Sequence, residues 1–213
     1  MNQADHWLRS ARQLPLVAIL RGLAPSQAIG IGQALTMSGF RLLEVPLNRP
    51  GALECIEILR KQLPDHVLVG GGTVLTESDV NDVHRAGGHL IVSPNFNVRV
   101  VARAVELDML CAPGVVTPTE AFAAIQAGAH ALKLFPSDLV GHGGLKALRS
   151  VLPSHMDVWP VGGITPKSIA GWVGAGATGF GIGSQLYTPG DDEQHVRQKA
   201  TAFLQAWEQR LTP

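Results

Sequence analysis

One junction recurs along this 213-residue chain and limits what it can fold into. Ser38-Gly39-Phe40, Ala86-Gly87-Gly88-His89, Ala127-Gly128-Ala129-His130 and Ala175-Gly176-Ala177-Thr178-Gly179 each end a helical pattern and lead into a short β-like run. Glycine just past the last helical turn takes the left-handed conformation that stops a helix. Repeating that stop means repeating one compact strand–helix unit.

The strand candidates are Leu16–Arg21, Arg41–Leu47, Val67–Gly71, Leu90–Ser93, Met109–Ala112, Ala131–Phe135, Val158–Val161 and Gly179–Gly183. Between and after them lie Ser26–Ser38, Ala52–Leu63, Glu77–Ala86, Val98–Leu107, Pro118–Ala127, Gly144–Val151, Pro166–Gly174 and Glu193–Trp207, with apolar residues at three- and four-residue spacing. Helix starts carry a cap residue or a proline: Ala24-Pro25-Ser26, Leu75-Thr76-Glu77, Thr117-Pro118-Thr119-Glu120 and Thr165-Pro166. Eight alternating units predict an α/β fold, a single (β/α)8 TIM barrel spanning residues 1–213. Asp5–Gln13 is the expected short N-terminal helix closing its bottom. The competing fold is an open doubly wound sheet, but no Gly-x-Gly-x-x-Gly follows the first strand.

Composition narrows the function. Hydrophobic residues make up 46 % and charged residues 16 %, with no net charge, which argues against disorder and against a broad basic face for nucleic acid or membrane. Met1 to Arg12 is polar and lacks the apolar core of a signal peptide. No stretch is long enough for a transmembrane helix. Cys55 and Cys111 sit far apart in apolar patterns and read as free buried thiols in a reducing cytoplasm. A cytoplasmic location is the expectation.

Lys133 lies inside the apolar run Ala131-Leu132-Lys133-Leu134-Phe135-Pro136, whereas the other four of the five lysines lie in polar or helical contexts. A free lysine has a pKa of roughly 10.4 and is almost wholly protonated at neutral pH. Burial lowers that pKa and yields an amine able to attack a ketone and form a Schiff base. The plainer alternative is a lysine that snorkels to solvent from a strand end.

In such a barrel the site lies at the C-terminal ends of the strands. Glu44, in Leu42-Leu43-Glu44-Val45-Pro46-Leu47, falls across the ring from Lys133 and is the candidate proton shuttle. Its alternative is a structural ion pair with Arg21 or Lys133. Side-chain alternation sends Leu42 and Pro46 inward with Glu44, and Ala131 and Phe135 inward with Lys133. Gly162-Gly163 and Gly183-Ser184 follow the last two strands, where bare backbone amides of these barrels hold phosphate. Their alternative is tight turns. Arg21 and Thr73 remain to hold a carboxylate, Arg21 through its bidentate fork. The eight histidines show no metal-ligand spacing, and no Gly-x-Ser-x-Gly elbow is present. This pattern gives no reason to expect a metal centre.

The segments Ile19-Leu20-Arg21-Gly22, Glu44-Val45-Pro46-Leu47-Asn48, Gly70-Gly71-Gly72-Thr73-Val74-Leu75, Ser93-Pro94-Asn95, Lys133-Leu134-Phe135-Pro136 and Val161-Gly162-Gly163-Ile164 carry a further signal. In order and spacing they resemble the class I aldolases that cleave 2-keto-3-deoxy-6-phospho sugar acids, over Leu14 to Tyr187. The resemblance implies Lys133 as the Schiff-base lysine and Glu44 as the acid–base group. It implies Arg21 and Thr73 at the carboxylate, and Gly162, Gly163, Gly183 and Ser184 at the phosphate. Asn48, Pro94, Phe135 and Val161 would line the substrate pocket. Gluconate-type members carry Arg four residues after the glutamate and often Thr before the Gly-Gly pair. Asn48 and Val161 occupy those positions here and resemble the galactonate branch. Arg49 lies one residue beyond, and its reach into the site is open. The resemblance also implies a homotrimer, and a reaction that needs neither metal nor organic cofactor. Two rivals remain: a different phosphate-binding barrel enzyme in which Lys133 only pairs with an anion, and a silent barrel that binds a sugar phosphate or a partner protein.

Overall fold

The computed structural model describes residues 3–210. Met1, Asn2 and residues 211–213 of the expected 1–213 domain lie outside the described residues. Helix α1 (Gln3–Gln13) precedes β1 (Leu16–Ile19), α2 (Pro25–Met37), β2 (Leu42–Pro46), α3 (Ala52–Gln62), β3 (Leu68–Gly72), α4 (Glu77–Arg85) and β4 (Leu90–Val92). Then come α5 (Val98–Glu106), β5 (Leu110–Ala112), β6 (Gly114–Val115), α6 (Pro118–Gln126), β7 (Ala131–Leu134) and α7 (Ser137–Arg149). The chain continues with β8 (Asp157–Pro160), a 3-10 turn (Pro166–Ser168), α8 (Ile169–Gly174), β9 (Phe180–Ile182) and α9 (Glu193–Gln209).

The recurring junction is built as its sequence suggests. Gly39, Gly87, Gly128 and Gly176 all have positive φ, between 82° and 106°. In each, the next residue's N–H reaches back across the last turn: Phe40 to Leu35, Gly88 to Val83, Ala129 to Ala124 and Ala177 to Trp172. These bonds satisfy carbonyls that a helix end leaves open. At the other ends, Thr76, Thr117 and Thr165 form capping boxes with Asp79, Glu120 and Ser168.

All strand pairs are parallel, as α/β alternation requires. Six strands form one sheet in the order β5-β4-β3-β2-β1-β9, and three form another in the order β6-β7-β8. The two sheets meet at both margins. Val161, just past β8, bridges Gly181 of β9. On the other side only Pro113 separates β5 from β6, and its carbonyl accepts the Lys133 N–H at 2.9 Å.

The strand expected at Met109–Ala112 is present as β5, and a further short strand, β6, follows it beyond Pro113, which has no N–H to give a ladder. Two expectations are corrected. The helix expected at Gly144–Val151 begins at Ser137 and bends at Gly141, whose φ of 66° and ψ of 176° are non-helical. The glycines at 141, 143 and 144 weaken the helical pattern that would have announced its first turn. Finally, β1 stops at Ile19, so Arg21 sits in the turn beyond it.

Two apolar clusters follow from side-chain alternation. Leu43, Val45, Leu132, Leu134 and their equivalents face the helices. Val17, Leu42, Leu68, Leu90, Leu110, Ala131 and Trp159 face the interior, and Trp7 and Ala11 of α1 join them. Trp7 also stacks on His89, with ring centroids 5.5 Å apart. Arg12 donates to Asp157 at the start of β8 at 2.7 Å. Helix α1 therefore plugs the interior at the N-terminal ends of the strands and leaves the opposite end open.

Candidate active site

Glu44 and Lys133 are two of the few buried charged side chains among the described residues, 2 % and 7 % exposed. Both line one inner cavity of about 10 Å³, with Val17, Val92, Ala112 and Trp159 as its apolar wall. Strand register places them there. Glu44 pairs with Ile19 and Gly70 in the sheet, and Lys133 pairs with Gly114 and Trp159. The Glu44 Oε2 atom has no hydrogen-bond partner. The Lys133 Nζ lies 4.9 Å from the centroid of the Phe135 ring.

Burial raises the Glu44 carboxyl above its usual range, and the charges of Lys133 and then Arg21 pull it part of the way back. Burial lowers the Lys133 ammonium; the Glu44 charge opposes this and Arg21 adds to it. Both groups are thus moved toward neutrality, with an open lone pair on each when neutral. A carboxylic acid and an amine so placed can exchange protons with a ligand between them. The thiols behave differently. Burial pushes Cys55 up to about 11 and Cys111 up to about 12, so neither offers a thiolate nucleophile.

Above the inner cavity opens a larger one of about 420 Å³. Val161 and Gly181 line both, which makes the inner cavity the floor of the outer one. Of the sequence-predicted residues, Arg21, Phe135, Val161, Gly162, Gly163, Gly183 and Ser184 line the outer cavity. Gly162 and Gly163 have φ of 116° and 60°, and a Cβ on Gly163 would collide with the Asp138 carboxylate. Ser137, buried at the start of α7, donates to the Gly162 carbonyl at 2.8 Å and fixes that turn.

Thr73, Asn48 and Pro94 line neither cavity. Thr73 follows Gly72, against which the Glu44 carboxylate rests, and has a φ of 55°. A β-branched residue there is strained. Asn48 is exposed at the start of the β2–α3 loop, and Pro94 packs against Gly114. Arg49 does reach the outer cavity, as do Gln185, Tyr187 and Thr188. The last three were missed in the sequence because they follow the last strand in a turn with no motif of its own. The Tyr187 hydroxyl is buried without a hydrogen-bond partner. Among the described residues no group of three or more His, Cys, Asp and Glu comes together, and no helix is long and apolar enough to cross a membrane.

Residues 6–199 match the family model described as KDPG and KHG aldolase. The chain is 44 % identical over 199 residues to 2-dehydro-3-deoxy-6-phosphogalactonate aldolase of Escherichia coli K12, covering 93 % of this chain and 97 % of that protein. Among solved structures, one titled native KDPGal structure superposes with a TM-score of 0.92 at 43 % identity, over 94 % of this chain and 98 % of the other. A cube-shaped cage designed by fusing symmetric oligomeric domains contains a similar unit, with a TM-score of 0.91 and 43 % identity over 93 % of this chain and 73 % of the cage chain.

Proposed function

This chain belongs to the KDPG and KHG aldolase family, and from that we propose that it cleaves 2-dehydro-3-deoxy-6-phospho-D-galactonate to pyruvate and D-glyceraldehyde 3-phosphate through a Schiff base on Lys133. The observation that carries this reading is that Lys133 and Glu44 line one buried cavity beneath an open mouth that carries Arg21 and Arg49. The 44 % identity to a galactonate-type relative supports the epimer.

The neutral Lys133 amine adds to the C2 ketone, and loss of water gives an iminium. Glu44, ionised, takes the proton of the C4 hydroxyl through one water, for which the inner cavity has room at the lower limit. The C3–C4 bond then breaks: its electron pair passes into the iminium to give an enamine, and C4 becomes the aldehyde carbon of glyceraldehyde 3-phosphate. Glu44, now protonated, returns its proton to C3. Hydrolysis of the new iminium frees pyruvate and the Lys133 amine. Positioning in a desolvated site does most of the work, since the chemistry needs only one amine and one proton carrier.

Arg21 holds the substrate carboxylate, supported by its charge acting on both Glu44 and Lys133. Thr73 assists from its strained position beside Gly72. The backbone at Gly162, Gly163 and Gly183, with Ser184, holds the phosphate, and Phe135 and Val161 pack on the carbon chain. Asn48 and Pro94 act from outside the two cavities.

The two sheets close into one (β/α)8 barrel, with β5 and β6 as a single strand interrupted at Pro113. The Val161–Gly181 bridge and the Pro113 carbonyl bond support that closure. The enzyme is a homotrimer, which the similarity to a unit of a cage built from symmetric oligomeric domains supports. Exposed Leu75, Val98, Val116 and Phe122, close to the ends of β3 to β6, offer an apolar surface for it. Two buried free thiols fit a cytoplasmic enzyme. Pyruvate release from the galactonate-type and gluconate-type 6-phosphates, coupled to lactate dehydrogenase, tests the reading. A clear galactonate preference supports it, a gluconate preference overturns the epimer, and release from neither overturns the aldolase.

A further inference from the structure

We propose that Arg49 is a specificity-determining residue that grips the substrate's phosphate together with the glycine turns, while Arg21 holds the carboxylate. The inference deepens the aldolase reading and rests on it.

The lining of the outer cavity carries two guanidinium groups, Arg21 and Arg49, and no carboxylate. Neither arginine makes a hydrogen bond or ion pair among the described residues. This is notable for Arg49, because the shallow groove on its other side is lined by Glu54, Asp79 and Asp82. Arg49 is exposed and lines both spaces, yet it pairs with none of those acids. Two guanidinium groups at the mouth of one cavity attract anions and suit one carrying more than a single charge. The proposed substrate carries a carboxylate and a phosphate monoester, the latter contributing about −1.5 to −2 at pH 7.

The two arginines are not equivalent. The substrate carboxylate is bonded to C2, the carbon that Lys133 attacks, so its partner must lie near Lys133. Arg21 directly follows Leu20, whose N–H donates to the Glu44 carbonyl at 2.9 Å, and its charge acts on Glu44 and Lys133, whereas Arg49 lies farther out on the exposed β2–α3 loop. Arg49 therefore belongs to the far end of the substrate. It comes from the β2–α3 loop, which packs on the start of α2 where Gly51 approaches Pro25. Next to it Gly22 approaches Pro189, which places Arg49 beside the turn holding Ser184 and Thr188. A guanidinium there complements backbone amides with a planar two-donor fork, the geometry that phosphate oxygens accept well.

The test uses Arg49→Gln and Arg49→Lys in the full-length enzyme. Cleavage of the 6-phosphate is compared with the rate of borohydride-trapped pyruvate adduct, whose ligand has a carboxylate and no phosphate. Inorganic phosphate is titrated separately by calorimetry. Arg49→Gln is expected to raise KM for the 6-phosphate about 10- to 100-fold, with a much smaller change in kcat. Phosphate binding should weaken in parallel, and pyruvate trapping should change less than about threefold. Arg49→Lys should recover part of the loss, since lysine keeps the charge and loses the fork. An equal loss in pyruvate trapping would place Arg49 at the carboxylate and overturn the inference. An unchanged KM with unchanged phosphate binding would overturn it as well. If the wild type releases no pyruvate, the aldolase reading falls, and the phosphate titration alone then decides Arg49.

Discussion

The carboxylate of Glu44 rests where a side chain on Gly72 would stand: a Cβ there would collide with Oε2. The two residues are on neighbouring strands, and Pro46 pairs with Gly72 in the register. The absence of a side chain at 72 is thus what gives the buried acid its seat. Gly72→Ala is expected to displace Glu44 and lower kcat by at least about tenfold while circular dichroism remains unchanged. A kcat within twofold of wild type would show that the seat is not needed.

Glu44→Gln removes the proton carrier and the negative charge that favours the Lys133 ammonium. Turnover should fall by about 100- to 10,000-fold. Because the Glu44 charge raises the Lys133 pKa, its loss lowers that pKa further. The neutral amine then persists to lower pH, and the acid limb of pyruvate-adduct formation should move down. A limb that moves up, or a variant that forms no adduct, contradicts the assigned roles.

Val161 lines both cavities and packs against Gly181, so it touches the substrate path at the point where the two spaces join. Val161→Thr places a hydroxyl there without much change in volume. The ratio of kcat/KM values should shift toward the gluconate epimer. An unchanged ratio would mean that epimer choice is made elsewhere in the cavity.

Gly163, at φ 60°, admits no side chain without meeting Asp138. Gly163→Ala should distort the turn and weaken phosphate-dependent binding by about tenfold or more, read as KM for the 6-phosphate. Pyruvate adduct formation should be much less affected. Equal damage to both would make the turn structural only.

The helix stops at Gly39, Gly87, Gly128 and Gly176 were legible because the left-handed backbone and its glycine are local chemistry. Glu44 and Lys133 were legible because a charge inside an apolar strand stands out against its own neighbours. Other features depend on distant contacts. Pro113 breaks a strand only because the ladder on that side needs its N–H. The reach of Arg49 depends on how two loops pack through Gly51, Pro25, Gly22 and Pro189. Thr73 and Ser184 belonged to motifs, whereas Gln185, Tyr187 and Thr188 enter the cavity through the turn that follows Gly183 and had no pattern to mark them.

The most direct test of the account is covalent trapping with pyruvate and borohydride, followed by peptide mapping, in the wild type and in Lys133→Met. The account predicts irreversible inactivation of the wild type with the reduced adduct on Lys133 alone, and a folded, inactive Lys133→Met that takes up none. An adduct on another lysine, such as Lys146, or wild-type turnover in Lys133→Met, would contradict it.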